Sequence, residues 1–222
     1  SVDSYGRAMV AHLGQGGRPP EAGGTTYALP TRRRDATQSG WAGVAFHPGQ
    51  PTMSAVASYY GKSLELFDGE MLVRTFHTAQ SPTAVKFLPQ GGACGGVGRM
   101  GGPGGATMLL TEANQVSMWD HRAGERGGCV NRVISGWSGG HLYALDVAQG
   151  AGALSGYSGL VGCVGADRCV AIYDPRKWTV RGRWTGALKY EAYTFNFSTT
   201  DPRCCFVSGA DYEVLCGVWE AE

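Results

Sequence analysis

The side chains best suited to nucleophilic, acid–base or metal chemistry here are five histidines and seven cysteines in a chain of 222 residues. His12, His47, His77, His121 and His141 stand singly, and no His-Glu-x-x-His run is present to place two imidazoles on one helical face around a metal. Cys94, Cys129, Cys163, Cys169, Cys204, Cys205 and Cys216 include no Cys-x-x-Cys pair, and their odd number leaves at least one unpaired. Cys204 and Cys205 are adjacent, so in a strand they face opposite sides. Several cysteines sit inside apolar runs, where a thiol behaves as a small hydrophobe. The expectation is buried free thiols in a reducing compartment, cytoplasm or nucleus, with no metal and no cofactor. A nucleophile also needs a base and an orienting third group. No phosphate-binding Gly-rich loop before Lys-Ser/Thr is present. Asp120-His121 reads as a strand-end charge pair, and Gly95-Gly96-Val97-Gly98 follows no strand–helix junction. No catalytic residue is assigned, and the chain is expected not to be an enzyme.

The remaining chemistry is recognition. Arg32, Arg33 and Arg34 read as a solvated charged loop, with contact to phosphate or to an acidic peptide as the sharper alternative. Arg176, Trp178, Arg181 and Arg183 come nearest to the basic stripe with interleaved aromatics that nucleic acid needs. Strand alternation would place Arg181 and Arg183 on one face. Against a general electrostatic attraction stand a net charge of +1 and only 17% charged residues. No membrane is expected as a partner, because the sequence lacks a run of about 18 apolar residues and a basic-then-apolar leader.

The elements that must position these groups are short strands. Hydrophobic residues make up 43% of the chain, enough for a sizeable core, and 36 glycines supply turns between strands. No stretch shows a helical apolar stripe. Residues 1–26 are too rich in Gly and Pro to pack well, although the apolar run Ala8 to Leu13 could dock. From about residue 39 a unit recurs: strand, strand, tight turn, then a strand ending in an aromatic and an acid. These endings are Phe67-Asp68, Trp119-Asp120, Tyr173-Asp174 and Trp219-Glu220, spaced by 52, 54 and 46 residues. Two Gly-rich stretches account for much of the excess over the about 40–45 residues of one propeller blade. The larger is Gly91 to Gly105, nine glycines in 15 residues, expected to be a surface loop. The expected fold is all-β, a propeller of about four blades near 39–81, 82–136, 137–186 and 187–222.

The chain resembles the WD40-repeat family, most closely over His77 to Asp120, where the order His, Val-x-Phe-x-Pro, tight turn and Trp-Asp is kept. The other repeats are degenerate and largely lack the Gly-His dipeptide. By this resemblance His77, Thr111, Asn114 and Trp119 form a buried hydrogen-bonded tetrad that locks the blade. The resemblance also implies a non-catalytic protein–protein interaction scaffold within a multiprotein assembly, with a nucleic-acid- or chromatin-associated propeller as the alternative. Only three strands of the last blade are present. Either Tyr27 to Pro30 supplies its fourth strand, or the chain is an open propeller or part of a larger one. In the open case a partner completes the exposed edge near Cys205 to Trp219.

Overall fold

The computed structural model describes residues 9–11, 26–28, 42–89, 107–135, 139–150 and 152–220. Among these there is no α-helix, and no helix is long and apolar enough to cross a membrane. β1 (Met9–Ala11) and β2 (Thr26–Ala28) form a two-stranded antiparallel sheet. Four larger sheets follow, each an antiparallel meander in sequence order. Sheet I holds β3 (Ala42–His47), β4 (Gln50–Ser58), β5 (Ser63–Asp68) and β6 (Met71–His77). Sheet II holds β7 (Pro82–Phe87), β8 (Thr107–Glu112), β9 (Gln115–Asp120) and β10 (Cys129–Ile134). Sheet III holds β11 (Leu142–Val147), β12 (Val161–Gly165), β13 (Val170–Asp174) and β14 (Thr179–Trp184). Sheet IV has three strands, β15 (Ala192–Phe197), β16 (Cys204–Gly209) and β17 (Val214–Val218). No sheet closes on itself, and the arrangement is consistent with a propeller-like fold.

The meander is set by short turns. Between the second and third strands the turn holds a non-glycine residue in the left-handed region in three sheets: Lys62 (φ 43°), Ala113 (φ 49°) and Arg168 (φ 56°). Consecutive sheets pack along their first strands, β3 on β7, β7 on β11 and β11 on β15. Each interface fills with apolar side chains, because the middle strands are buried on both faces. Phe76, Trp119 and Met108 share one cluster between sheets I and II. Leu109, Val161 and Tyr173 share the next, and Ile172, Phe195 and Trp219 the last. Phe67, Trp119 and Tyr173 on the third strands, and Trp219 directly after β17, are all buried, each turned toward the sheet before its own.

Sheet I has no larger sheet before it, and there Val10 of β1 packs against Val44, Val56 and Phe67. The apolar run expected to dock does so here, and one expectation is corrected. Met9–Ala11, within the apolar run Ala8 to Leu13, forms a strand that covers the Phe67 face. Thr26–Ala28 pairs with Met9–Ala11 and not with Val214–Val218, so it does not complete the last sheet. The apolar face of sheet I around Phe67 takes its cover from Val10. Gly91 to Gly105 lies outside the described residues.

Candidate functional site: the uncovered face of the fourth sheet

The polar residues expected to act together at Trp119 do not bond to one another. The Trp119 Nε1–H donates to Ser117 Oγ at 2.8 Å, and the Ser117 hydroxyl donates to Glu112 Oε1. Glu112 Oε2 accepts the Gln80 N–H at 3.2 Å. Thr111 faces the other way. Its register partner is Val116, which puts it on the Met118 side of the sheet, while Ser117 and Trp119 share the opposite side. There the Thr111 hydroxyl meets Thr83 Oγ1 at 2.8 Å, and the Thr83 hydroxyl lies 2.7 Å from the Leu142 carbonyl. His77 is exposed, and Asn114 contributes its backbone carbonyl, which accepts the Ser135 N–H at 2.9 Å. The tetrad His77, Thr111, Asn114 and Trp119 is therefore not assembled; Trp119, Ser117, Glu112 and Gln80 replace it. The i, i+2 spacing of Ser117 and Trp119 was the sequence signal for this.

The basic candidates do not form one stripe. A bulge between Val180 and Gly182 interrupts the register against β13, so alternation fails at Arg181. Arg181 reaches Glu220 of sheet IV at 3.6 Å. Arg183 pairs in register with Ala171, which belongs to the cluster on the sheet II side. Arg176 lies 3.8 Å from Asp174, and Trp178 is half-buried against the Tyr173 cluster. Arg32, Arg33 and Arg34 lie outside the described residues.

His47 is buried, its Nδ1 accepts the Gly49 N–H at 3.1 Å, and burial lowers its pKa, which keeps the ring neutral. Cys163, Ser135 and Tyr173 form a buried trio, with Ser135 Oγ 3.1 Å from the sulfur and 2.8 Å from the phenol. Burial pushes the Cys163 thiol up to about 12, opposite to the direction that activates a nucleophile. Among the described residues no group of three or more His, Cys, Asp or Glu is placed to hold a metal.

A cavity of about 260 Å³ lies where the first strands of sheets I to III end, lined by Phe46, Pro48, Phe87 and Val147 with Lys86 and Asp146. Lys86 Nζ sits 3.0 Å from Asp146 Oδ1, and Asp146 Oδ2 accepts the Phe197 N–H at 2.9 Å. This ties sheets II, III and IV together with Asp146 fully engaged. Nothing in the sequence marked this pair.

Among the described residues the far face of sheet IV has no counterpart. Register equates four positions in every sheet: Ala55, Ala57, Leu64 and Leu66 in sheet I; Leu109, Thr111, Val116 and Met118 in II; Gly162, Val164, Val170 and Ile172 in III; Cys204, Phe206, Cys216 and Val218 in IV. In the first three sheets all of these are buried beneath the following sheet. In sheet IV, Phe206 is 43% and Val218 62% exposed, Cys216 is exposed and Cys204 half-buried. Val214, on the same face opposite Ser208, is 67% exposed. Scattered surface hydrophobes need no explanation, but a contiguous set on one sheet face does. β17 also pairs only with β16, which leaves its outer backbone edge free of strand pairing among the described residues. No family model matches the chain, and no curated protein is detectably similar to it.

Proposed function

We propose that this chain is a degenerate WD40-like propeller, open or part of a larger one, that serves as a non-catalytic protein–protein interaction scaffold within a multiprotein assembly of the cytoplasm or nucleus. The observation that carries the proposal is the apolar face of sheet IV, exposed at the positions that the other three sheets bury. Burying such a face releases on the order of 25 cal/mol per Å² of apolar surface, and pairing its edge satisfies backbone groups a partner strand can reach. The rest of the molecule supports a passive role. Burial holds His47 neutral and Cys163 and Cys205 protonated, and the buried carboxylate of Glu112 is occupied by hydrogen bonds from Gln80 and Ser117.

The nucleic-acid alternative has weaker support, because Arg181 and Arg183 diverge at the bulge and Arg176 and Arg181 lie near carboxylates. Isolation of the tagged chain from its own cells under native conditions should recover a protein partner in fixed ratio. Replacing Phe206 and Val218 by glutamate should abolish that recovery, and unchanged recovery would sink the proposal. A salt-sensitive band shift with nucleic acid, lost on charge reversal of Arg176 and Arg183, would move the function to the alternative.

A further inference from the structure

We infer that Tyr143, Tyr193 and Glu191, flanked by Tyr59, form a binding site for an organic ammonium cation at the end of the molecule where the first strands begin. The site goes beyond the scaffold function and uses no residue of the sheet IV face. Register shifts near the start of β11 and β15 leave Tyr143 and Tyr193 as the extra residue of a bulge in adjacent sheets. A bulge re-aims the side chain it carries. Sheet II has Thr83 at the equivalent bulge, and its hydroxyl is engaged by Thr111 and the Leu142 carbonyl. In sheets III and IV the bulge residue is an aromatic instead. Both phenols donate to one atom, Tyr143 at 3.2 Å and Tyr193 at 3.0 Å from Glu191 Oε2. The two rings lie 5.0 Å apart with a tilt of 47°, and Tyr193 is 47% exposed. Tyr59, in the turn after β4, stands edge-on to Tyr60 at 5.2 Å and near enough to act on the Tyr143 phenol.

The charge at this site is unbalanced. Among the described residues Glu191 enters no ion pair, and its Oε1 accepts no hydrogen bond. Burial, then the Glu191 charge and the hydrogen bond to it, raise the pKa of Tyr143, and the hydrogen bond to Glu191 and its charge raise that of Tyr193. Both phenols therefore stay protonated at neutral pH, and the negative charge rests on the carboxylate. A carboxylate with a free oxygen beside aromatic rings suits a carbon-bearing cation, whose methyl or methylene groups meet the rings while its charge meets the anion. The same end of the molecule already holds such a contact, since the Lys189 ammonium lies 5.3 Å from the centre of the Tyr190 ring. Lys189 is thus committed to Tyr190 and leaves the Glu191 charge uncompensated.

The test titrates choline into the full chain carrying isotope-labelled tyrosine rings and follows the ring signals by NMR. A neutral isostere of choline, with a tert-butyl group in place of the trimethylammonium, is titrated in parallel. Saturable shifts of the Tyr143 and Tyr193 signals are expected, with the isostere binding at least about tenfold more weakly. Glu191→Gln and Tyr193→Leu should each weaken choline binding at least about fivefold, whereas Tyr193→Phe, which keeps the ring, should stay within about twofold. A lysine blocked at its amino and carboxyl ends identifies the source of the cation. Tighter binding than choline assigns the site to a lysine side chain of a peptide, whose N–H the free Oε1 can accept, and tighter choline assigns it to a small quaternary amine; either result supports the site. No saturable shift with either cation, which is also the result if a basic residue of this chain fills the site, would overturn the inference. Equal affinity for the isostere, or unchanged choline affinity in Glu191→Gln, would do the same. The comparison of choline with its isostere uses the unsubstituted chain and so decides the matter even where a variant fails to fold.

Discussion

Gly182 lies against the indole of Trp219, so closely that a Cβ built on it would stand 2.6 Å from Trp219 Cε3. The absent side chain on the last strand of sheet III is what lets Trp219, directly after β17, seat itself. Gly217 repeats the relationship from the other side, with a Cβ there 2.6 Å from Trp184 Cη2. The interface between sheets III and IV is thus a pair of glycines facing a pair of tryptophans, bordered by the Arg181–Glu220 contact.

Gly182→Val should destabilise the fold by about 1–3 kcal/mol, because the added carbons collide with a ring that is itself packed. The φ of Gly182 lies outside the left-handed region, so space and not backbone strain sets the effect. Gly156, with nothing within 4 Å of a built Cβ, provides the control: Gly156→Ala should change stability by no more than about 0.5 kcal/mol. Urea unfolding followed by tryptophan fluorescence reads both, and equal midpoints for the two variants would contradict the packing account.

Ser117→Ala should be more damaging than its size suggests. It orphans the buried Trp119 N–H and strips one donor from Glu112, for a loss of about 1–3 kcal/mol. His77→Ala and Asn114→Ala should each fall within about 0.5 kcal/mol of the parent protein, since neither side chain joins that network. The reverse order, measured by thermal or urea unfolding, would restore the tetrad implied by family resemblance.

Val10→Ser should loosen the cover over sheet I. Val10 is buried against Val44, Val56 and Phe67, and replacing it with a hydroxyl loses about 1–3 kcal/mol of apolar burial. The signature is increased binding of an apolar dye at temperatures below the main transition. A variant that unfolds like the parent and binds no more dye would show that β1 does not seal this face.

Alkali should unfold the protein through its buried thiols. Burial pushes Cys163 and Cys205 from an ordinary 9.0 to about 12. The folded state therefore holds these protons more tightly than the unfolded chain. Their contribution to stability is complete below about pH 9 and is lost as pH climbs from there toward 12. At pH 8 an aromatic disulfide reagent should label exposed Cys216 readily and leave Cys163 and Cys205 until denaturant is added. Rapid native labelling of Cys163, identified by peptide mapping, would refute the burial.

How much of this was legible beforehand differs from residue to residue. Phe67, Trp119, Tyr173 and Trp219 could be picked out as inward aromatics because an aromatic–acid ending recurs at regular spacing, and all four are buried. The turn after Glu112 and the three-strand last unit could also be read from turn residues and apolar alternation. The tetrad could not, because a one-residue difference in parity between Thr111 and Trp119 sends them to opposite faces, and that parity depends on the register across the Ala113 turn. Arg181 and Arg183 failed for a related reason, since a bulge leaves no mark in composition.

Local patterns along the chain were therefore enough to determine the strands of sheets I to IV, their order within each of these sheets and the aromatic each one buries, because period-two alternation and turn chemistry act between near neighbours. Only the tertiary structure decided that Val10 covers Phe67, that Lys86 meets Asp146, and that Phe206 and Val218 are exposed. Those facts depend on which sheet lies beside which. An apolar residue in a strand reads the same whether the next sheet arrives to bury it or not.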